Sequence, residues 1–175
     1  MRRSARMSAW CLGLALIAFA PAALSDDLPE YRLKAAFLYN FALFTEWPAD
    51  TGSTLNLCVY GQDPFGEEID ALQGKPVGDR RMAVHRITGV EGLTACQVVF
   101  IADSSSDSIS RVLSTLRGAT VLTIADAPGA AKRGVALNMS VVKNKITFEA
   151  NLTAARAANL KLSSKLLGLA TEVLQ

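Results

Sequence analysis

Two uncharged, largely apolar runs, at residues 97–102 and 119–124, constrain the fold more than any other feature of the chain. Runs of this length without polar alternation are typical of strands that are buried on both faces of a parallel sheet. The strands of such a sheet are joined by crossovers, usually helices, which cover the two faces. We therefore expect an α/β fold.

The remaining strands and helices are predicted from alternation, helical spacing and turn residues. Further strands are expected at residues 54–60, 80–87, 135–141 and 145–150. The last two are expected to form an antiparallel hairpin around Lys143 and Asn144. Helices are expected at residues 30–47, 63–73, 109–117 and 152–174, the last with a break near 159–163. The predicted architecture is a single-domain, mostly parallel sheet of about six strands, with an antiparallel C-terminal hairpin and helices on both faces.

The first predicted helix is unusually aromatic, because residues 30–48 contain six of the twelve aromatic residues of the chain. One apolar stripe in this segment has helical spacing and is predicted to face the core. Its members are Leu33, Phe37, Phe41 and Phe44, and Leu38 and Ala42 widen it.

Three aromatic residues of the same segment, Tyr31, Tyr39 and Trp47, lie partly off that stripe. They are either further core and capping residues or an exposed patch that binds a protein partner. Periodicity does not decide between these two interpretations. We therefore keep all three as candidate partner-binding residues.

The N-terminal residues 1–25 have the features of a secretory signal. Three arginines precede an apolar segment at residues 10–20, which is too short to span a bilayer. A small-residue pattern then ends at Ser25. We expect cleavage after Ser25, which leaves a mature domain of residues 26–175. The alternative is an uncleaved membrane anchor.

The net charge of the mature chain gives no support for a nucleic-acid partner. The whole sequence has 18 basic and 16 acidic residues, and three of the arginines belong to the predicted signal. The mature chain therefore carries 15 basic and 16 acidic residues, a net charge of −1. We expect neither nucleic acid nor an anionic membrane surface as a partner.

The mature chain retains two cysteines, Cys58 and Cys96. In an exported protein such a pair is most simply a disulfide, and the alternative is two buried thiols. We predict no metal site, because two sulfurs and His85, the one histidine of the chain, cannot fill the four positions of a structural zinc site.

Loops at the carboxyl ends of the predicted parallel strands are the best candidates for binding a small ligand. These loops supply the polar residues Asp63, Asp103, Ser104 and Asp126. Asp63 and Asp103 are equally well explained as helix N-caps. A small-molecule site at these loops is the alternative to a purely protein-binding role.

No catalytic constellation is recognisable in the sequence. His85 lies in a predicted strand with no serine, cysteine or acid near it in sequence to suggest a triad. The spacing from Gly61 to Gly66 matches the outer glycines of a P-loop, but Glu67 and Glu68 follow where Lys and Ser or Thr are required. We expect no enzymatic activity and no cofactor.

The chain resembles the YfiR-like family of exported bacterial proteins along nearly the whole mature sequence. The first and last matching blocks are the most distinctive. The matching segments are residues 31–41, 47–48, 64–66, 100–101, 121–124, 146–151, 154–156, 160–167 and 169–170.

This resemblance implies a periplasmic α/β domain, often dimeric, without catalytic activity. The name-giving member of the family represses a membrane-bound diguanylate cyclase by contacting its periplasmic sensory domain, and an outer-membrane lipoprotein can sequester the repressor. The resemblance thus implies a regulator of cyclic-di-GMP signalling and of biofilm formation. The partner that the resemblance implies is the periplasmic domain of a membrane-bound signalling protein, either a cyclase or a sensor kinase. The name-giving member has four mature cysteines rather than two, so the resemblance by itself does not imply redox control.

Overall fold

The computed structural model describes residues 27–175. The predicted signal, residues 1–25, lies outside the described residues. No helix within residues 27–175 is long and apolar enough to cross a membrane.

The described residues form five α-helices and ten strands. The helices are α1 (Asp27–Leu43), α2 (Glu67–Asp70), α3 (Ile109–Thr115), α4 (Leu152–Ala157) and α5 (Ser164–Leu167). The strands are β1 (Thr45–Glu46), β2 (Thr54–Tyr60), β3 (Pro76–Val77), β4 (Arg80–Ile87), β5 (Val98–Ile101), β6 (Leu122–Ala125), β7 (Leu137–Val142), β8 (Lys145–Asn151), β9 (Lys161–Leu162) and β10 (Glu172–Leu174).

An eight-stranded sheet in the order β10-β8-β7-β6-β5-β2-β4-β3 forms the centre of the fold. Most of its pairings are parallel, while β7 with β8 and β3 with β4 are antiparallel. The predicted α/β class is therefore confirmed. All six predicted strands are present, and the short strands β3 and β10 extend the sheet at its two edges.

Alternate residues of the central strands pack into two separate cores, one on each face of the sheet. Leu57 and Phe100 face α1 and α2, whereas Cys58 and Val99 face α3. Because both faces are covered, neither set of alternate residues has to be polar, which explains the continuous apolar run in β5. The prediction of helices on both faces is confirmed.

The connections place the helices on opposite faces for a topological reason. The chain passes from β2 to β4 in one direction through α2, and then returns past β2 to β5, β6 and β7 on the other face. Right-handed crossovers that run in opposite directions must cover opposite faces. β2 and β5 therefore lie side by side at a topological switch point.

The predicted hairpin joins β7 and β8. Lys143 and Asn144 have positive φ angles of 51° and 59°, as a two-residue type I′ turn requires. The register pairs Val142 with Lys145 and continues to Leu137 with Ala150. This prediction is confirmed.

The predicted buried stripe of the first helix is partly wrong. Leu33 is 49% exposed and Phe37 is only half-buried, while Leu38 and Phe41 are fully buried. The helix has apolar residues around its whole circumference, so spacing alone does not select the buried face. Phe41 is fixed on the core side by its contact with Phe148, whose ring centroid lies 4.9 Å away.

The predicted C-terminal helix is also largely wrong beyond residue 157, where only the short α5 is helical, although the predicted break near residues 159–163 is confirmed. Asn159 has a positive φ of 56° and ends the region of α4. The side chain of Ser163 then accepts a hydrogen bond from the Leu166 amide and starts the short helix α5. Residues 161–162 form β9, which pairs with β1, and residues 172–174 form β10, which pairs with β8. Backbone pairing with distant strands outweighs the helix propensity of an Ala/Leu-rich tail.

Candidate functional site

A cavity lies at the switch point, beyond the carboxyl ends of β2 and β5. It has a volume of about 320 Å³ and is lined by Tyr31, residues 62–64 and residues 102–104. Gly61 lets the two loops approach each other, because its φ is +90° and a Cβ there would collide with Ser105. Open α/β sheets bind their ligands at this kind of position.

Four of the seven candidate residues from the sequence line this cavity: Tyr31, Asp63, Asp103 and Ser104. Asp126, at the end of β6, lies next to it, because its Oδ1 accepts a hydrogen bond of 2.8 Å from the Asp103 amide. The structure thus brings all four predicted ligand-loop residues together and adds Tyr31 to them. It does not bring Tyr31 together with Tyr39 and Trp47.

A buried ion pair anchors α1 to this end of the sheet. Lys34 is only 4% exposed, and its Nζ lies 2.6 Å from Asp126 Oδ2. The Tyr31 hydroxyl donates to the same carboxylate oxygen at 3.3 Å, and Lys34 also pairs with Glu30 one helical turn earlier. α1 and the loop after β6 are therefore held together by charge-assisted hydrogen bonds in a poorly solvated place.

The surroundings of Lys34 and Tyr31 keep both side chains protonated. Burial lowers the pKa of Lys34, but hydrogen bonds to Asp126 and Glu30 outweigh this effect, and the pKa is raised overall. Burial, together with the negative charge of Asp126, raises the pKa of Tyr31 to about 12. At neutral pH Lys34 is therefore a cation and Tyr31 a hydrogen-bond donor.

Asp63 does not cap a helix as predicted, because α2 begins later, at Glu67, and ends at Asp70. Its Oδ1 accepts a hydrogen bond of 2.7 Å from the Phe65 amide in the preceding turn, and its Oδ2 pairs with Arg86 Nε at 2.7 Å. Arg86 also reaches Asp70 at 2.7 Å. These hydrogen bonds raise the pKa of Arg86. Asp63 thus orders the loop through Arg86 of β4, a partner that sequence reasoning missed.

Asp103 and Ser104 begin a 3₁₀ helix, Asp103–Ser108, that precedes α3. The prediction that Asp103 caps the following helix is wrong, since Ser108 occupies the cap position of α3 and no side-chain bond caps either helix. Neither the Asp103 carboxylate nor the Ser104 hydroxyl has a hydrogen-bond partner within the described part of the chain. Both groups are therefore free to contact a ligand in the cavity.

Tyr39 lies on α1 beside the edge strand β3, and Trp47 lies just beyond the end of α1. The Tyr39 hydroxyl donates to the Pro76 carbonyl of β3 at 2.7 Å, and Trp47 Nε1 donates to the Ala42 carbonyl at 2.9 Å. Both side chains are half-buried against the core. Their polar side-chain atoms are satisfied by internal hydrogen bonds, and both residues remain partly exposed.

Cys58 and Cys96 form a disulfide that ties β2 to the turn before β5. Their Cα atoms are 6.0 Å apart, and both residues are buried. A second cavity, of about 490 Å³, borders this bond and reaches Val84, His85 and Ile87 of β4. His85 Nε2 lies 3.0 Å from Asn56 Oδ1 on the same face. Within residues 27–175, no three histidine, cysteine or acidic side chains are grouped closely enough to hold a metal ion.

Sequence reasoning missed Lys34 and Arg86, the cations that neutralise the predicted acids. For Lys34 a signal was present, because it precedes Leu38 and Phe41 on one helix face at spacings of four and seven. A lysine in that position faces the core and needs an anionic partner. Nothing local pointed to Arg86, whose acidic partners come from a distant loop and helix.

Two solved structures share the fold. A conserved domain protein from Vibrio cholerae O1 biovar El Tor superposes with a TM-score of 0.56 at 10% identity over 82% of this chain and 60% of that one. The ABC domain in complex with L-Trp from Streptococcus pneumoniae superposes with a TM-score of 0.53 at 8% identity, covering 69% of this chain and 55% of that one. The present chain thus spans somewhat more than half the length of each of these two proteins.

Comparison with protein families is more specific. No curated protein matches the sequence significantly. The DUF4154 family model, described as YfiR/HmsC-like, matches residues 31–171. That match covers α1, the switch-point loops, the hairpin and most of the tail. The chain therefore belongs to the YfiR/HmsC-like family.

Proposed function

We propose that this protein is a periplasmic regulator that inhibits a membrane-bound diguanylate cyclase by protein–protein contact, and so controls cyclic-di-GMP signalling and biofilm formation. Family membership over residues 31–171 is the observation that carries this proposal. The cyclase is contacted through its periplasmic sensory domain, and an outer-membrane lipoprotein competes for the regulator. The regulator acts by binding and release rather than by chemistry, and it does so as a homodimer.

The surface that contains Tyr39 and Trp47 is the best candidate for the contact with the cyclase. Both residues are partly exposed, and Tyr39 lies against the edge strand β3. Arg80 of β4 joins this surface, because its guanidinium donates to the Pro48 carbonyl directly after Trp47. Aromatic side chains flanked by arginine are typical of the residues that dominate binding energy at protein interfaces.

Replacing Tyr39 or Trp47 with serine is expected to weaken repression. Removing a central aromatic residue from an interface costs about 2 kcal/mol or more, which is roughly a 30-fold loss of affinity. In cells that lack the native gene, the wild-type protein should lower cyclic-di-GMP, and the two variants should leave it high. The measurement is intracellular cyclic-di-GMP at matched periplasmic protein levels.

The control is Val142→Ser at the tip of the β7–β8 hairpin, near the opposite edge of the sheet. Val142 is 51% exposed and apolar. Its replacement therefore tests whether the loss of an exposed apolar side chain elsewhere on the protein also weakens repression. It should repress normally. Each serine variant loses one internal hydrogen bond and part of its packing against the core, so we expect a lower thermal midpoint but a protein that still folds. Full repression by both variants would contradict this surface, and collapse of their folds would show that the two residues are core.

A second function, small-molecule sensing, is favoured by the switch-point cavity. Asp103, Ser104 and the Gln62 amide line it, and none of these side chains has a hydrogen-bond partner within residues 27–175. Ligand pockets of α/β folds combine a few such polar groups with an apolar or aromatic wall, here Tyr31. A sensor would bind its ligand there and signal through α1.

Thermal-shift measurements with a panel of amino acids, dipeptides, sugars and divalent cations test the sensor function. A ligand at a hundred times its Kd stabilises the folded state by about 2.7 kcal/mol, which raises the midpoint by several degrees. Asp103→Ala should abolish the shift, while Asp107→Ala, in the same 3₁₀ helix but outside the cavity lining, should retain it. Absence of a shift with every compound would count against the sensor.

A further inference from the structure

The sheet is incomplete along the outer edge of β4. The edge strand β3 pairs only with Arg80 and Arg81, through Val77 and Pro76. β4 continues to Ile87, and over its whole length its inner edge is paired with β2. Among the described residues 27–175, the outer edge beyond residue 82 therefore has no neighbouring strand.

The backbone groups that point outwards along β4 belong to its even-numbered residues. Arg81 donates to Ser53 and Ile87 accepts from Gly61, so the odd-numbered residues bond towards β2. Met82 exchanges hydrogen bonds with Gly74 and Lys75 on the outer side. By the same alternation, the outward groups that remain are the Val84 amide and carbonyl and both backbone groups of Arg86.

One of these groups already has a substitute for a neighbouring strand. The side-chain Oε1 of Gln73 accepts a hydrogen bond of 2.8 Å from the Val84 amide. The Val84 carbonyl and the two backbone groups of Arg86 have no partner within the described residues. The Gln73 amide takes the place that a backbone carbonyl of a neighbouring strand would have. A binding strand can displace it easily, because this requires only rotation of a surface side chain.

The cavity beside the disulfide lies against the same stretch of β4. Its lining includes Val84, His85, Arg86 and Ile87, and its far wall is formed by Gly92, Ala95 and Cys96. Its volume of about 490 Å³ is sufficient for a large apolar side chain. A strand added to β4 would project alternate side chains towards this face of the sheet.

The charges at this edge determine which net charge a partner strand should carry. Arg80 and Arg81 donate to backbone carbonyls, and Lys75 lies over the Tyr39 ring, so none of these cations is paired with a carboxylate in the described part of the chain. Asp79 is the one acid within residues 73–87, and Arg86 is already paired with Asp63 and Asp70. Among the described residues, the cations at this edge that lack an acidic partner are therefore Lys75, Arg80 and Arg81. The edge therefore favours an acidic partner.

We propose that the outer edge of β4 binds an extended, acidic segment of a protein partner. The segment adds to the sheet beside Val84 and Arg86, displaces the Gln73 side chain, and inserts an apolar side chain into the cavity beside the disulfide. This inference rests on the proposed function, because it specifies what part of the partner is bound. The edge is continuous with the Tyr39 surface, since Tyr39 bonds to β3.

The test uses a fluorescently labelled peptide of about eight residues, the length of an ordinary strand, with alternating glutamate and valine. Its binding to the purified protein is measured by fluorescence anisotropy. Two matched peptides serve as controls: one has lysine in place of glutamate, and the other has proline at two central positions, which removes the amides needed for pairing. We expect binding of the first peptide and at least tenfold weaker binding of both controls.

Three protein variants locate the binding. Ala95→Phe fills the cavity and should weaken binding of the acidic peptide at least tenfold, whereas Thr94→Phe, the neighbouring exposed position outside the lining, should not. Gln73→Ala frees the Val84 amide and should strengthen binding severalfold. The Gln73 variant keeps the inference falsifiable even where a phenylalanine disturbs the fold.

The outcome is independent of the cellular experiment. Absence of binding by the acidic peptide, equal binding of the lysine or proline peptide, or equal loss from Ala95→Phe and Thr94→Phe would each overturn the edge site. None of these results alters repression by the wild-type protein in cells. Conversely, failure of the wild-type protein to lower cyclic-di-GMP would overturn the proposed function, whatever the peptide does.

Discussion

Replacing Lys34 with methionine is expected to lower the free energy of unfolding by about 3–5 kcal/mol. The change leaves the Asp126 carboxylate, whose side chain is only 2% exposed, without its cation. The Tyr31 hydroxyl and the Asp103 amide still donate to it, but they carry no charge to offset its desolvation. Urea unfolding followed by circular dichroism measures the loss.

Two matched variants separate the buried charge from a general effect of losing a cation. Arg32→Met breaks the pair with Glu68, in which the arginine side chain is 74% exposed, and should leave the stability nearly unchanged because water screens this pair. Lys34→Met combined with Asp126→Asn should recover much of the loss, because the asparagine oxygen still accepts from the Asp103 amide and no unpaired charge remains. Equal costs for the Lys34 and Arg32 variants would show that water screens the Asp126 pair.

Most of the sheet could be predicted because most of its strands have a recognisable local sequence pattern. The apolar run of β5 and the two-residue turn at Lys143 and Asn144 each allow only one reasonable local structure. The structure of the C-terminal tail could not be predicted from local patterns, because β9 and β10 are strands of only two and three residues. Such strands exist only through pairing with β1 and β8, and pairing over that sequence distance leaves no local pattern.

The switch-point site could be predicted in its position but not in its electrostatics. The fold class alone places Asp63, Asp103 and Asp126 at the carboxyl ends of neighbouring strands. Whether these acids are free to meet a ligand depends on cations from elsewhere, namely Lys34 and Arg86. Asp63 and Asp126 are paired with these cations, whereas Asp103 has no cationic partner in the described part of the chain. Of the three acids, Asp103 is therefore the remaining candidate for contact with a ligand.

Replacing both Cys58 and Cys96 with alanine is expected to lower the free energy of unfolding by up to about 4 kcal/mol and the thermal midpoint by roughly 10 °C. The bond closes a loop across a sequence separation of 38 residues. In the chain-entropy account, a crosslink of this span destabilises the unfolded chain by restricting it. The wild-type protein in reductant should match the double variant, and the double variant should not respond to reductant.

The dependence on urea identifies where the stabilisation arises. A crosslinked unfolded chain exposes less surface, so the double variant should show a larger m value as well as a lower stability. An unchanged m value with a loss near 1 kcal/mol would instead mean that the sulfurs act as ordinary core packing. Because Cys96 forms one wall of the cavity beside β4, the folded double variant also reveals whether the bond serves that cavity. If the fold remains but the acidic peptide no longer binds, the disulfide holds the edge site open in addition to stabilising the chain.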